Sequence, residues 1–115
     1  MRSLNKKCID NQLTNTDLFS IAFNTDQTFA CSAQLEATGS VLGNFKLQVS
    51  DDAAIAGNPQ NWSDIPNSSI AISGAGIYFI EKTDINGQFH RVTFIDTSEG
   101  TNTGSITVNL FTHGF

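Results

Sequence analysis

Charge is scarce in this sequence, and most of it is acidic. Charged residues occupy 15% of the 115 positions, and the formal net charge is −5. Nucleic-acid binding depends on a basic surface that neutralises phosphates, so this balance argues against a nucleic-acid partner. The length is sufficient for one domain with one hydrophobic core and too short for two domains.

Cysteines and long apolar runs are also few. Cys8 and Cys31 can form one disulfide at most, whereas disulfide-built secreted domains contain more cysteines. Cys31 lies in an alternation of apolar residues, which predicts a small buried side chain. No stretch approaches the roughly 18 apolar residues of a membrane helix, and no apolar signal segment follows "MRSLNKKC". We therefore expect a soluble protein that is made in a cytoplasm and does not span a membrane.

The sequence also lacks a recognisable catalytic or metal-binding set. His90 and His113 fall on separate predicted strands, with no cysteine or carboxylate at zinc-ligand spacing. There is no G-x-S-x-G elbow, no arguable Cys/His pair, and no glycine-rich segment that opens a helix as a phosphate-binding loop does. We expect no enzymatic activity and no cofactor.

What the sequence does contain is strand alternation. Serine, threonine, asparagine and glycine are abundant around a 39% hydrophobic fraction, and apolar residues recur at every second position in short runs. The pattern predicts an all-β fold: a single antiparallel β-sandwich or jelly roll of about seven to eight strands. The predicted strands are 18–24, 29–37, 44–50, 65–73, 77–82, 88–96 and 105–112.

The alternation also predicts which side chains face inward. Nine phenylalanines are the main supply of bulky core residues. Three strands give the clearest inward sets, namely Phe29, Cys31, Ala33 and Leu35; Phe45, Leu47 and Val49; and Ile106, Val108 and Leu110.

The first residues match no strand pattern well. We therefore divide the chain into an N-terminal arm over residues 1–15 and a β-sandwich domain over residues 16–115. The arm is either a solvated tail or a segment that orders against another subunit. Its candidate assembly residues are Arg2, Leu4, Lys6, Lys7 and Ile9.

The connection after the third predicted strand contains the sharpest candidate site. Asp51, Asp52, Trp62 and Asp64 lie in or beside this loop and could form an interface or ligand site. Asp51 and Asp52 are adjacent, whereas calcium loops space their carboxylates two apart, so a local turn is favoured over a metal site. Trp62 could stack on a sugar, but a lone aromatic favours packing, in the core or at an interface.

Four segments together resemble a pattern found in small bacteriophage virion proteins. The segments are "GNFKLQVSDD", "NWSDIPNSSIAISGAG", "RVTF" and "TGSITVNLFTHGF". The pattern reads G-x-F-x-L-Q-x-S-x-D, then N-W-x-x-I-P-x-S, a Gly-bounded turn, R-V-x-F/Y, and a closing Gly-rich hairpin. The likeness covers roughly residues 29–114. It departs at His113, where the pattern usually has lysine, and in the N-terminal segment.

The resemblance implies a structural component of a phage particle. Its position would be a penton-like capsid vertex, a capsid decoration, or part of a fibre or tail. The implied partners are copies of itself and other virion proteins such as a major capsid protein, joined by symmetric self-assembly. The alternative is a carbohydrate-binding module that recognises host-surface glycans through Trp62 and the loop carboxylates.

Overall fold

The chain folds into strands throughout the part that the structure describes. The computed structural model describes residues 3–20, 23–24, 28–50, 61–83 and 89–114, so Arg2, Asp51 and Asp52 lie outside the described residues. The strands are β1 (Ser3–Leu13), β2 (Leu18–Phe19), β3 (Phe23–Asn24), β4 (Thr28–Thr38), β5 (Leu42–Ser50), β6 (Ser63–Asp64), β7 (Ile70–Ser73), β8 (Gly76–Thr83), β9 (Phe89–Asp96) and β10 (Ser105–Gly114).

These strands form two antiparallel sheets that pack face to face. The four-stranded sheet has the order β1-β10-β4-β8. The six-stranded sheet has the order β2-β9-β5-β6, with β3 also paired to β9 and β7 also paired to β5. The predicted fold class, a single antiparallel β-sandwich, is confirmed.

The core lies between the sheets, and the predicted alternation positions most of it. The predicted inward residues of β4, β5 and β10 are buried where their side chains are described, except Val49, which is half-buried. The phenylalanines, however, divide between core and surface. Phe45, Phe89 and Phe94 are buried, whereas Phe19 and Phe79 are exposed on the outer faces. Both candidate surfaces described below are built around such outward rings.

The first strand lies where the sequence predicts an arm. Ser3–Leu13 pairs antiparallel with β10, and Ile9 belongs to the hydrophobic core. The register of this pairing shifts between Lys7 and Ile9 and again between Ile9 and Gln12. Each shift changes which face the following residues occupy, so the segment shows no readable period of two. This pairing corrects the expectation that the segment lies outside the sandwich.

One predicted strand, 65–73, is interrupted by a turn. The backbone of β6 ends at Asp64, and β7 begins at Ile70. Between them Pro66 has no N–H to donate, and Asn67 adopts a φ of +60°. Ser68 is buried in this turn, and its hydroxyl donates to the carbonyl of Ile65 at 2.7 Å. The turn aligns β6 and β7 along the same edge of β5.

A buried amide connects segments of both sheets at one end of the sandwich. Asn102 is 5% exposed, and its Oδ1 accepts a hydrogen bond from the backbone N–H of Leu42 at 2.8 Å. Its Nδ2 donates to the carbonyls of Thr14 and Leu42, both at 2.9 Å, and to Asp96 Oδ1 at 3.2 Å. Thr14 follows β1, whereas Leu42 begins β5 and Asp96 ends β9. This side chain therefore fixes the segment after β1 against the six-stranded sheet.

Candidate functional site

The outer face of the six-stranded sheet holds an arginine between two aromatic rings. The Cζ of Arg91 lies 4.7 Å from the ring centroid of Phe19 and 4.4 Å from that of Trp62. Arg91 is on β9, Phe19 is on β2 at one side of it, and Trp62 precedes β6 beyond β5. We call these three residues the aromatic–arginine stack. Its contacts are cation–π interactions, which strengthen as the cation loses water.

A line of hydrogen bonds continues from the stack along the same face. Arg91 Nε donates to Gln48 Oε1 at 2.8 Å, and Gln48 Nε2 donates to Asp64 Oδ1 at 2.8 Å. Lys46 Nζ forms an ion pair with Asp64 Oδ2 at 3.0 Å. The pairing of Gln48 with both Arg91 and Asp64 in the sheet register places these side chains in one row.

The row shifts the pKa of two of its members. Hydrogen bonds from Gln48, and then from Lys46, stabilise the charged carboxylate and lower the pKa of Asp64. Desolvation of the guanidinium lowers the pKa of Arg91, which remains charged at any physiological pH. Asp64 is therefore already bonded within the protein, and Arg91 is the cation that is partly removed from water.

The structure brings together part of the predicted loop site. Trp62 and Asp64 belong to one row through Gln48 and Arg91, whereas Asp51 and Asp52 lie outside the described residues. Trp62 is half-buried, is not among the residues of the described core cluster, and packs against Arg91. The outer face at this loop site therefore has a cation, Arg91, as well as the carboxylate of Asp64.

The described candidate residues of the predicted arm lie on β1, in the four-stranded sheet, and not in the row. Leu4 and Lys6 lie on β1, Lys7 is exposed on that strand and Ile9 is buried in the core. Lys7 Nζ lies 3.8 Å from Asp10 Oδ1, which is a long and exposed ion pair.

Sequence reasoning missed the residues that organise the row. Arg91, Gln48 and Lys46 stand at the water-facing positions of two predicted strands, and Phe19 looked like core. The alternation signalled that Lys46 and Gln48 face outward. It could not signal that β9 and β5 are neighbours or that Gln48 is opposite Arg91, since register depends on long-range pairing.

A second surface lies on the other sheet, at strand β8. Ile77 and Phe79 are 67% and 51% exposed on its outward side. The strand pairs with β4 in an unbroken register from Thr83 to Gly76, and no described strand pairs with its other side. The backbone groups of that side, together with Ile77 and Phe79, form what we call the β8 edge. It has no proline and no bulge to discourage pairing, and its charged side chains, Glu81 and Lys82, lie near its C-terminal end.

Beside the β8 edge, the outer face of the four-stranded sheet forms a shallow depression of about 410 Å³. Phe79 is opposite Gln34 in the register, Gln34 is opposite Asn109, and Phe111 is opposite Ser32. Two aromatic rings therefore stand diagonally across a strip of amide and hydroxyl groups. The lining contains no charged side chain, being Ser32, Gln34, Phe79, Asn109 and Phe111.

Other reactive groups of the described residues are not arranged for chemistry. Burial raises the pKa of the Cys8 and Cys31 thiols to about 11, and both cysteines are free. At neutral pH almost no thiolate is present on either residue. Among the described residues no group of three or more histidine, cysteine, aspartate and glutamate side chains could hold a metal ion. The same residues include no helix able to cross a membrane.

Comparison with known proteins gives structural neighbours and no family. No family model and no curated protein matches the chain. Among solved structures, the PBSX exported protein XepA matches with a TM-score of 0.68 at 6% identity, covering 97% of this chain and 37% of XepA. The SPBc2 prophage-derived protein YomS matches with a TM-score of 0.53 at 13% identity, covering 97% and 95%.

Of two further neighbours, one forms pili and the other binds xylan. Disulfide-linked pili from Bacillus endospore appendages match with a TM-score of 0.56 at 13% identity, covering 98% of this chain and 88% of the pilus subunit. A low-affinity xylan-binding module, CBM86 from Roseburia intestinalis, matches with a TM-score of 0.53 at 9% identity, covering 100% and 97%. At these identities the likeness shows the fold alone, which structural and binding proteins share with this chain.

Proposed function

We propose that this protein is a non-enzymatic structural component of a bacteriophage particle that acts by contact with neighbouring subunits. The position is a capsid vertex, a capsid decoration, or a fibre or tail, and the compartment is the virion after synthesis in the host cytoplasm. The phage-like sequence pattern supports the setting, and the fold shared with a prophage-derived protein agrees with it.

The β8 edge is the observation on which the assembly mechanism rests. Natural proteins usually protect a long edge strand, since its free N–H and C=O groups pair readily with another strand. Here the edge is regular for eight residues and exposes two large apolar side chains. Residues 75–80 carry no charge in a chain whose net charge is −5, so a second copy meets little repulsion there. We therefore infer that β8 pairs with β8 of another copy.

The sequence of β8 selects one register for this pairing. A two-fold axis at Tyr78 places Ile77 of each copy opposite Phe79 of the other. The outer face of the dimer therefore contains two equivalent pairs of these residues. The same register places Glu81 opposite Ala75, which keeps the two carboxylates apart. Cross-strand pairs of an aromatic and a β-branched residue stabilise sheets by roughly 0.2–1 kcal/mol each. The contact is smaller than the interfaces of stable complexes, so the isolated dimer should be weak and should depend on further contacts in the particle.

Cysteine cross-linking measures both the contact and its register. A mixture of the Ile77→Cys and Phe79→Cys variants should form a disulfide-linked dimer on mild oxidation, since directly opposite Cα atoms lie about 4.5–5.5 Å apart. Either variant alone should cross-link poorly, because diagonal positions lie about 7–8 Å apart. The wild-type chain controls for the native thiols. Equal cross-linking of all three samples would refute the register.

Association is measured independently by sedimentation velocity over a range of concentrations. Phe79→Lys should remove the dimer, whereas Leu13→Lys should retain it, because Leu13 is also exposed but lies on β1. The phage setting has its own test, which is mass spectrometry of purified particles from the phage that encodes the chain. Absence of the chain from those particles would refute the virion role, whatever the outcome of cross-linking.

Carbohydrate binding is the second candidate function, and the depression on the four-stranded sheet favours it. Two phenylalanine rings across an amide strip match the alternating apolar and hydroxyl surfaces of a neutral glycan, and the xylan-binding module has the same fold. Affinity electrophoresis in gels containing xylan should retard the wild type and the Leu13→Ala control. Phe111→Ala should migrate without retardation. Equal migration of all three chains with and without xylan would refute binding of this glycan.

A further inference from the structure

The guanidinium of Arg91 is fixed in position but uses few of its donors. Two aromatic rings pack against it, and Gln48 accepts the hydrogen bond from Nε. An arginine has five N–H donors in a planar fork, and among the described residues only its Nε donor has a hydrogen-bond partner. The two terminal nitrogens, Nη1 and Nη2, form the remaining edge of the fork.

The described charges near Arg91 do not neutralise its guanidinium. Asp64, the nearest acid in the row, is bonded to Gln48 and Lys46. Within the described part of the chain, no carboxylate lies within 4 Å of the Arg91 side-chain nitrogens. The charges of Lys46 and Asp64 cancel, so the described residues of the row and the stack together have a net charge of +1.

Such an arrangement suits a planar anion. Parallel N–H donors match the two oxygens of a carboxylate, and the charge-assisted bonds are about twice as strong as neutral ones. Because the rings and Gln48 already hold the fork, binding loses little side-chain entropy. The partial desolvation of the guanidinium strengthens the attraction further.

The surroundings of the fork indicate what bears the carboxylate. Phe19 packs beside Arg91 and is 51% exposed, so part of its ring remains accessible to a ligand near the guanidinium. The pyranose ring of a sugar acid presents C–H groups that pack on such a ring, while its carboxylate lies at the ring's edge. An acidic protein surface, including that of a second copy with its net charge of −5, would add overall electrostatic repulsion to the contact.

We propose that the aromatic–arginine stack is a binding site for a sugar acid, in which Arg91 pairs with the carboxylate and Phe19 packs against the sugar ring. The site is distinct from the β8 edge and from the depression, which are both on the other sheet. It would select hexuronate-type residues over neutral sugars.

Trp62 provides a direct readout, because it is the chain's single tryptophan and contacts Arg91. Glucuronate added to the wild-type protein should change the tryptophan emission until it saturates. The methyl ester of glucuronate has the same ring without the charge, and should bind at least about ten-fold more weakly, the loss expected for a charge-assisted pair. Acetate should also bind at least about ten-fold more weakly than glucuronate, since it lacks the ring.

Variants test whether glucuronate binding needs the parallel donors of the Arg91 guanidinium or only its positive charge. Arg91→Lys keeps the positive charge without the parallel donors, and should weaken glucuronate binding at least about ten-fold, measured by ligand-observed NMR. Lys7→Gln removes a cation from β1 and should leave binding unchanged. Phe79→Lys should also bind normally, so a failure of assembly and a failure of this site are distinguishable.

Three results would overturn the proposal. Equal binding of glucuronate and its methyl ester would show that the carboxylate is not recognised, and this comparison uses only the wild-type chain. Equal binding of glucuronate and acetate would remove the role of the sugar ring. Unchanged binding by a folded Arg91→Lys protein would remove the role of the fork.

Discussion

The outer face of the six-stranded sheet and that of the four-stranded sheet use their side chains in different ways. On the first, charged and amide groups bond to one another in a row from Arg91 through Gln48 to Asp64 and Lys46. On the second, neutral amides and hydroxyls surround Phe79 and Phe111, and Ile77 extends the apolar area to an open edge.

The difference bears on what each face can bind. Most polar groups of the row already have partners, so a flat protein surface would form few new hydrogen bonds with it. The exception is the pair of terminal nitrogens of Arg91, Nη1 and Nη2. On the four-stranded sheet Glu36 and Glu81 are exposed, but the lining of the depression has no charged side chain, so covering it removes little charge from water. These differences are why we propose assembly for the four-stranded sheet and recognition of a small anion for the six-stranded sheet.

Both faces depend on a junction at one end of the sandwich, and breaking it should give the largest effect. Asn102→Ala removes the partner of the Leu42 N–H and of the Thr14 carbonyl, whereas the Leu42 carbonyl keeps its hydrogen bond from the Thr97 N–H. Each buried polar group left unsatisfied costs roughly 1–3 kcal/mol, so we expect a total loss of about 2–4 kcal/mol in the free energy of unfolding. Urea denaturation measures this loss.

The control for this prediction is an asparagine on the outer face. Asn109→Ala should change the free energy of unfolding by no more than about 0.5 kcal/mol, because Asn109 lies in the depression away from the junction. Similar losses for the two variants would contradict the role of Asn102 as a connection between the sheets.

An aromatic truncation on each face gives the next largest effect. Trp62→Ala removes the ring that packs on Arg91 and should lower the free energy of unfolding by about 1–2 kcal/mol. Phe79→Ala removes a half-exposed ring and should change it by no more than about 0.5 kcal/mol in dilute monomer. Thermal and urea unfolding measure both. A loss above about 3 kcal/mol for Trp62→Ala would show that the ring is part of the core.

The sandwich itself was predictable from residue alternation, because a period of two survives in β4, β5 and β10. The first strand was not, because two register shifts around Ile9 move its side chains between faces. Those shifts depend on pairing with β10, which is about a hundred residues later in the chain. The alternation of apolar residues therefore identified the regular strands but did not identify β1, whose register is interrupted by shifts.

The candidate site was predictable only in part, for a related reason. Trp62 and Asp64 stood out because they are near each other in the sequence. Arg91 and Gln48 are 43 residues apart, and only the register of β5 against β9 makes them neighbours. Phenylalanine is usually a core residue, and no local feature of the sequence indicates that the ring of Phe19 is exposed on the outer face.

The smallest effect should appear in the pH dependence of stability. The pKa of Asp64 is lower in the folded protein than in the unfolded chain, because Gln48 and Lys46 bond to its charged form. The row's stabilisation is then fully present above the unfolded pKa of about 4 and is lost as the pH falls through the folded value. Since Asp64 is more than half exposed, this contribution should be below about 1 kcal/mol.

Asp64→Asn isolates that contribution. The wild type should exceed the variant in free energy of unfolding at pH 6, and the difference should shrink as the pH falls below the unfolded pKa of about 4 and through the lower folded pKa of Asp64. The lowered pKa of Asp96, caused mainly by hydrogen bonds from Ser98, affects both proteins equally and cancels. Glu81→Gln, on the face that has no such row, should show no comparable difference at pH 6. A difference for Asp64→Asn that persists unchanged at low pH would mean that the ionised carboxylate does not stabilise the row, and that the two outer faces differ in packing rather than in charge.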